Sequence, residues 1–490
     1  MVEKVVYNDP TPNNFPDDYD DSQVDSRVKI RSKSIAHKEY GEHVREALIQ
    51  GVEIGSVVAN EARNIANDTA SRQDEVDQSQ KDLEDRYNDQ IAGNTDLDEV
   101  IDARDDGEQT HKTLRERLNQ TYSIQYDDVE VADRFKNQVI EFMENIDESK
   151  FNIVVNTDAH YEDRSNYGFY QNYPGRSQLS MDHFNNTLAI GTKADVIILG
   201  GDNIHASYAN VDVSEKDMDL VASKFLDNKV KADRFIVLGN HDNGDAKILE
   251  KPNRKVYPSE IITEAETKRA FRTNENFYGE VRDGDSLYFY KDYDDKKIRL
   301  IGIVTEDTGD QLDDDGYIKH IRNTTHALRQ QQLNWIANVA LKDVPTGYHV
   351  VMYGHAPLAA NEPGANGGVS YNFDILANII LAFQSGSKYT GSSAIEDFEV
   401  NVSADYTEQG EGVFIGYFCG HRHAEYLWDF MGVKQTVLLN SVCDKAAESS
   451  IERTADTESE DAQTVISIDT DVRTVKLLGF GAATDRNYTY

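Results

Sequence analysis

Histidine, aspartate and asparagine gather in five short segments: Asp158-Ala159-His160, Gly201-Asp202-Asn203, Gly239-Asn240-His241-Asp242, Gly354-His355 and Gly420-His421-Arg422-His423. Imidazole nitrogen combined with carboxylate oxygen suits Mn, Fe or Zn, and a set this large serves two ions better than one. Each segment lies at or just past the end of an apolar run: Phe151 to Val155, Val196 to Leu199, Phe235 to Leu238, Val350 to Tyr353 and Val413 to Cys419. Strand-sized runs that end this way place metal chemistry at the carboxyl edge of a sheet, where open α/β sheets bind ligands. The pattern predicts hydrolysis assisted by a pair of ions.

Positioning those five segments takes a sheet and the helices that cover it. Patterning predicts further strands over 285–291, 297–304, 435–440, 464–469 and 473–479, and helices near 181–190, 215–227, 261–272, 328–341 and 374–384. The last strands follow one another without an intervening helix, so the sheet is expected to be mixed. Trp335, with Gln331 and Leu333, is expected to face the core, and His349 to be structural. The stretches 161–178 and 361–372 follow metal motifs and read as loops overhanging the site. The first carries Arg164 and Arg176, which either contact substrate phosphate or are ordinary solvated charges. Arg422, between two histidines, should point away from them by alternation.

At 490 residues the chain exceeds one ordinary domain. Residues 1–34 read as an irregular acidic arm, 35–149 as a helical region and 150–490 as the sheet-bearing domain. In the second region apolar residues recur at Val44, Leu48, Val52, Ile54, Val58, Ala62, Ile65, Val76, Leu83 and Tyr87, mostly three or four apart. So thin a seam cannot bury itself, which predicts a multi-chain bundle; an exposed helical linker is the alternative. The 50 Lys and Arg against 88 Asp and Glu give a net charge of -38, which disfavours nucleic acid and anionic membrane surfaces. Cys419 and Cys443, the only cysteines, are expected as free core thiols. No apolar run reaches transmembrane length, and Met1 to Asp21 has no signal-peptide core.

In this order the five segments match the pattern D-x-H, GD, GNH-[DE], GH and GHxH, and the chain from about 151 to 445 resembles the calcineurin-like metallophosphoesterase superfamily. The resemblance implies an α/β fold, a four-layer αββα sandwich with mixed sheets, and two divalent ions (Mn, Fe, Zn or Ni). It implies that Asp158, His160 and His423 hold the first ion, that Asn240, His355 and His421 hold the second, and that Asp202 bridges them. His241 is left unligated, as a general acid for the leaving oxygen. Asp242 either orients the His241 ring or caps a helix start. The second motif departs from many members in continuing Asn203-Ile204-His205, which makes His205 a candidate substrate contact.

The segment Thr110 to Asn119 resembles a short "TLxERLD"-like stretch of tail, baseplate and fibre proteins of phages that infect Gram-positive bacteria, and the helix from Arg45 onward is similar in texture. That resemblance implies a homo-oligomer, most simply a trimer, that joins other tail or baseplate proteins. Its location would be the virion tail after synthesis in the cytoplasm, and its substrate a phosphate-rich cell-wall polymer such as teichoic acid. Two other readings stand beside it: an adhesin that binds cell-wall phosphate with little turnover, and an intracellular phosphatase or nuclease.

Overall fold

The computed structural model describes residues 24, 26–37, 48–57, 59, 60, 63 and 81, and then 129–490 apart from 164–175, 207–209, 247–254, 359–368 and 445–450. The chain divides into two compact units, Met1–Leu118 and Asn119–Tyr490. In the first, Ser26–His37 is a helix, reaching into the stretch expected to be irregular. No Pro or Gly interrupts residues 17–37, so nothing in the local chemistry prevents a helix there. Residues 48–57 are also helical. Most of the apolar seam and the whole of 97–126, with its Thr110–Asn119 segment, lie outside the described residues, as does Arg164.

Among the described residues, the second unit is built on 17 strands. The first six are β1 (Phe151–Asn156), β2 (Val196–Leu199), β3 (Asp233–Ile236), β4 (Val281–Arg282), β5 (Phe289–Tyr293) and β6 (Ile298–Gly302). Next come β7 (Thr325–Ala327), β8 (His349–Tyr353), β9 (Val369–Tyr371), β10 (Lys388–Ser393), β11 (Val400–Asp405) and β12 (Val413–Cys419). The last are β13 (Tyr426–Phe430), β14 (Val433–Val437), β15 (Ala462–Asp469), β16 (Thr474–Gly481) and β17 (Arg486–Thr489). One six-stranded sheet runs β17-β16-β15-β1-β2-β3, and a seven-stranded sheet runs β13-β14-β12-β8-β6-β5-β4. Both are mixed: β1, β2 and β3 are parallel, as are β14, β12, β8 and β6, with antiparallel strands outside them.

The apolar runs of the motif strands have a simple cause: both faces are buried. Phe151, Ile153 and Val155 of β1 share a core with Phe289, Leu300 and Phe418 of the other sheet. Val154 faces the opposite way, into the core beneath Phe184 and Leu188. Phe235 and Phe289 stack across the sheets, centroids 4.1 Å apart. Helices Arg176–Gly191 and Val211–Leu226 cover the six-stranded sheet, and Phe373–Gln384 covers β12 and β14, giving the expected four layers.

Three details depart from expectation. The expected helix 328–341 is an α-helix only over Gln330–Trp335 and continues as a π-type turn over Ile336–Ala340. Trp335 and Leu333 are buried, but Gln331 points outward to Asp283, and its neighbour Gln332 is buried, bonding the main chain of Val304. Residues 129–146, upstream of the expected boundary at 150, are part of the second unit. Val129, Val131, Phe135, Val139 and Ile146 are buried there, because the helix Lys136–Met143 presents an apolar face to Arg176–Gly191 and β16. His349 is structural as read, its Nδ1 lying 2.7 Å from Tyr490 Oη, and both cysteines are buried.

Candidate metal centre

Parallel alignment brings the ends of β1, β2 and β3 to one edge, and the ends of β8 and β12 meet them from the other sheet. Main-chain bonds then lace the loops together. Asp158 N donates to Gly201 O at 2.9 Å, His160 N to Asp202 O at 2.8 Å, and Gly420 N to His355 O at 2.9 Å. Across the sheets, His421 N donates to Asp158 Oδ2 at 2.9 Å. Two buried groups come from the motif residues, and a third cluster, His160, His205 and His241, shares His160 with the first of them. In the first, His160 Nε2 lies 3.1 Å from His423 Nε2, which is 3.4 Å from Asp158 Oδ1. In the second, Asn240 Oδ1 lies 2.7 Å from His421 Nδ1 and 3.1 Å from His355 Nε2. Asp202 faces both, with Oδ2 3.6 Å from His160 Nε2 and Oδ1 3.4 Å from His355 Nε2.

The backbone is strained where these side chains converge. Asp158, His160, Asp202, His421 and His423 all adopt left-handed φ, between 44° and 68°. Such conformations persist only where the surroundings over-determine them, and they cluster at functional sites. Glycine supplies the close approach. A Cβ on Gly239 would meet Asp202 N at 2.1 Å, and one on Gly420 would meet Asp158 Oδ2 at 2.3 Å.

The donor set fits divalent cations. Ligand atoms about 2.1 Å from an ion lie roughly 3.0–3.4 Å from one another, and the separations above fall in or near that range. His355 and His423 each have an oxygen behind the ring, the arrangement in which metal-binding imidazoles are generally found. His355 Nδ1 lies 2.9 Å from Gly200 O, and His423 Nδ1 lies 3.9 Å from Asp444 Oδ2. Burial holds the pKa values of His160 and His421 well below the ordinary value, whereas two other histidines favour positive charge. Burial works against an imidazolium at His423, yet Asp158 and Asp444 raise its pKa to about 9. Burial likewise opposes charge at His355, and Asp202 overcomes it, holding that pKa well above the ordinary value. Burial would raise the Asp202 carboxyl, but His355 and His241 hold it well below its usual range.

His241 and His205 border the first group. Their rings stack at 5.2 Å, and the His241 ring lies 4.8 Å from that of His160. Burial depresses the His241 pKa below 6.5, with Asp202 opposing it. Asp242 takes neither of its two expected roles. Its Oδ1 accepts from Asn203 N (2.7 Å) and Ile204 N (3.0 Å), and its Oδ2 accepts from Gly239 N (2.8 Å) and Asn203 Nδ2 (3.0 Å). It therefore ties the loop after β2 to the loop after β3. Burial and the nearby Asp202 charge push its pKa up to about 7, against those N–H groups. Arg176 begins the helix behind β1, and Arg422 is buried.

Several neighbours escape the five motifs. Asn240 Nδ2 donates to Asn323 Oδ1 at 3.0 Å. His326 sets its ring 4.8 Å from that of His421, with Nδ1 3.0 Å from the buried Glu306 Oε1. Asp245 accepts from the main-chain N–H groups of Arg322 and Asn323. Asp245 stands three residues after Asp242, so the signal was adjacent to a motif, but its partners are some 77 residues away. Asn323 and His326 carry no local signature.

A family model described as calcineurin-like phosphoesterase matches residues 151–425, more than half of the chain. The chain belongs to that family. It is a metal-dependent phosphoesterase, a hydrolase, and the family works with two divalent ions. No curated protein matches the chain. Among solved structures it is similar to GAP50, the anchor in the inner membrane complex of Plasmodium, at 11% identity over 69% of this chain and 89% of that one (TM-score 0.32). It is also similar to the phosphopantetheinyl hydrolase of Mycobacterium tuberculosis, at 10% identity over 60% of this chain and 91% of that one (TM-score 0.26). At such scores neither likeness bears on substrate or partner. Among the described residues, no helix of this phosphoesterase is long and apolar enough to cross a membrane.

Proposed function

We propose that Asp158, His160 and His423 hold one ion, that Asn240, His355 and His421 hold the other, that Asp202 spans both, and that the site hydrolyses phosphodiester bonds of a cell-wall polymer. The observation that carries the ligand assignment is Asp202, whose two oxygens face the two groups at 3.6 and 3.4 Å. Two divalent ions bound there supply Lewis-acid charge to the phosphoryl oxygens and acidify water at neutral pH. The chain's own residues do the rest. The left-handed loops and the motif glycines fix the donor atoms before substrate arrives, so little reorganisation accompanies reaction. His241, beside the first group but outside the ligand set, moves a proton to the departing oxygen. His205, stacked on His241, lines the substrate side.

The substrate and setting are supported by the resemblance of Thr110–Asn119 to phage tail and baseplate proteins, which favours teichoic acid, a virion-tail location and tail-protein partners. A charge of -38 disfavours a nucleic-acid backbone. Self-association is supported by the described helical segment 48–57, where Ile49 and Val52 are 58% and 70% exposed. The decisive assay is release of glycerol phosphate or phosphate from purified Gram-positive cell walls, with and without added Mn, beside metal content. The parent should release product and carry close to two ions, and Asp202→Ala should lose both the product release and the ions. Loaded protein that cleaves small phosphate esters but not walls would overturn the substrate; loaded protein that cleaves neither would overturn the catalytic assignment.

A further inference from the structure

Asparagine is an ambiguous metal ligand. Its carbonyl oxygen can bind a cation and its amide nitrogen cannot, yet the two ends have nearly the same shape. Only hydrogen bonding decides which end faces the ion. At the inner end of Asn240, Oδ1 sits among His421 Nδ1 and His355 Nε2. At the outer end, Nδ2 has one partner among the described residues, Asn323 Oδ1 at 3.0 Å. Asn323 belongs to none of the five motifs and lies in the turn that leads into β7.

That turn is itself anchored from the Asn240 side. Asp245, fully buried, accepts Arg322 N at 2.6 Å through Oδ2 and Asn323 N at 3.1 Å through Oδ1. Asn243 Nδ2 donates to the same Oδ2 at 3.0 Å, and Asp245 N returns to Asn243 Oδ1 at 3.2 Å. The Arg322 side chain extends the hold, with Nη2 3.0 Å from Asp310 and Nε donating to Glu306 O at 3.3 Å. The loop Asn240–Asp245 thus grips a distant turn by its backbone, and that turn returns a single acceptor to the amide of Asn240.

We propose that Asn323 is a positioning residue that holds the Asn240 amide with its oxygen toward the second ion, the clamp on Asp245 keeping Asn323 in place. The proposal rests on Asn240 being a ligand. It predicts that what matters at 323 is an acceptor oxygen. Asn323→Leu removes the acceptor at similar volume and leaves the Asn323 N–H to Asp245 intact. Asn323→Asp keeps an acceptor that cannot donate.

The test is equilibrium binding of Mn by calorimetry on the full chain stripped of metal, with no activity readout, for the parent, Asn323→Leu, Asn323→Asp and Asn240→Ala. Removing an outer partner of a metal ligand costs about 10–100-fold in affinity. Asn323→Leu should weaken the second ion by that factor and leave the first unchanged, while Asn323→Asp should bind both like the parent. If Asn240→Ala weakens the second ion but Asn323→Leu does not, the positioning role is overturned and the ligand assignment stands. If Asn240→Ala itself leaves the second ion unchanged, the ligand assignment falls. Equal weakening by Leu and Asp would overturn the acceptor argument. Thermal melts of the stripped variants separate these results from misfolding; should Asn323→Leu melt early, Asn323→Ala takes its place.

Discussion

Replacing Asp242 by asparagine separates a structural tie from a chemical role. The new amide would keep one carbonyl oxygen, enough for the bonds from Asn203 N and Ile204 N. The other end becomes an NH2 group, a donor set against two donors, Gly239 N at 2.8 Å and Asn203 Nδ2 at 3.0 Å. Two hydrogen bonds to a charged acceptor are worth about 1.5–3 kcal/mol each, so the gross loss is about 3–6 kcal/mol. The variant also sheds the cost of a buried charge, which returns part of that loss and leaves a net destabilisation of roughly 2–4 kcal/mol. Against a typical stability of about 5–15 kcal/mol the effect is large. Urea unfolding of the metal-free protein at pH 8, above the pKa of about 7 that burial imposes on Asp242, measures it directly. Trp335 and Trp428, the only tryptophans, both lie in the Asn119–Tyr490 unit, so their fluorescence follows that unit alone. An Asp242→Asn variant as stable as the parent to within about 0.5 kcal/mol, yet slow on substrate, would refute the tie and return Asp242 to the proton-transfer chemistry.

Three further outcomes are expected. His241→Ala should keep its metals and lose about 10²–10⁴ in rate on esters with poor leaving groups, with a much smaller loss on a nitrophenyl ester; equal losses on both would remove it as the acid. His160→Ala should weaken one ion while Asp202→Ala loses both, which elemental analysis of the dialysed variants decides; loss of only one ion from Asp202→Ala would show that it does not bridge. Glu460 is fully buried, and although burial pushes its pKa up, hydrogen bonds from His183 and Arg134 hold it at about 2. A depressed carboxyl stabilises the fold above its unfolded pKa, so that contribution should fade as pH falls from about 4.5 towards 2. Glu460→Gln should cost about 2–3 kcal/mol at pH 7, less than a fully buried pair because Arg134 is partly exposed and keeps Asp182. The variant should also show a shallower acid limb; unchanged acid sensitivity would assign it to other groups.

The strands that lead into the five motifs were legible because their signal is local. Phe151 to Val155 and Val196 to Leu199 are buried on both faces, and the histidines and carboxylates of the motifs follow within a few positions. Elements with weaker local signals went unread. β10 alternates exposed and half-buried residues, and β7 and β9 are three residues long and form a two-stranded sheet. The helix Lys136–Met143 has a single fully buried residue, Val139, and so little periodicity to mark it off from the region upstream.

By itself, the sequence determined which donor atoms exist and that they stand at strand ends, because ligand type and strand termination are written within a few residues. Only the tertiary structure decided how those atoms are aimed. The left-handed backbone at Asp158, His160, Asp202, His421 and His423 is not chosen by local preference alone, since positive φ is uncommon outside glycine even though Asp and His adopt it more readily than most residues. It is imposed by hydrogen bonds between loops distant in sequence, such as that from His421 N to the Asp158 carboxylate, 263 residues apart. The same holds for Asp242, read from sequence as orienting the His241 ring or capping a helix start and found accepting from residues 38 and 39 positions earlier. It holds as well for Asn323, whose part depends on a single contact 83 residues away. A hydrogen bond reports which groups meet in space, and chain connectivity limits that only over short separations.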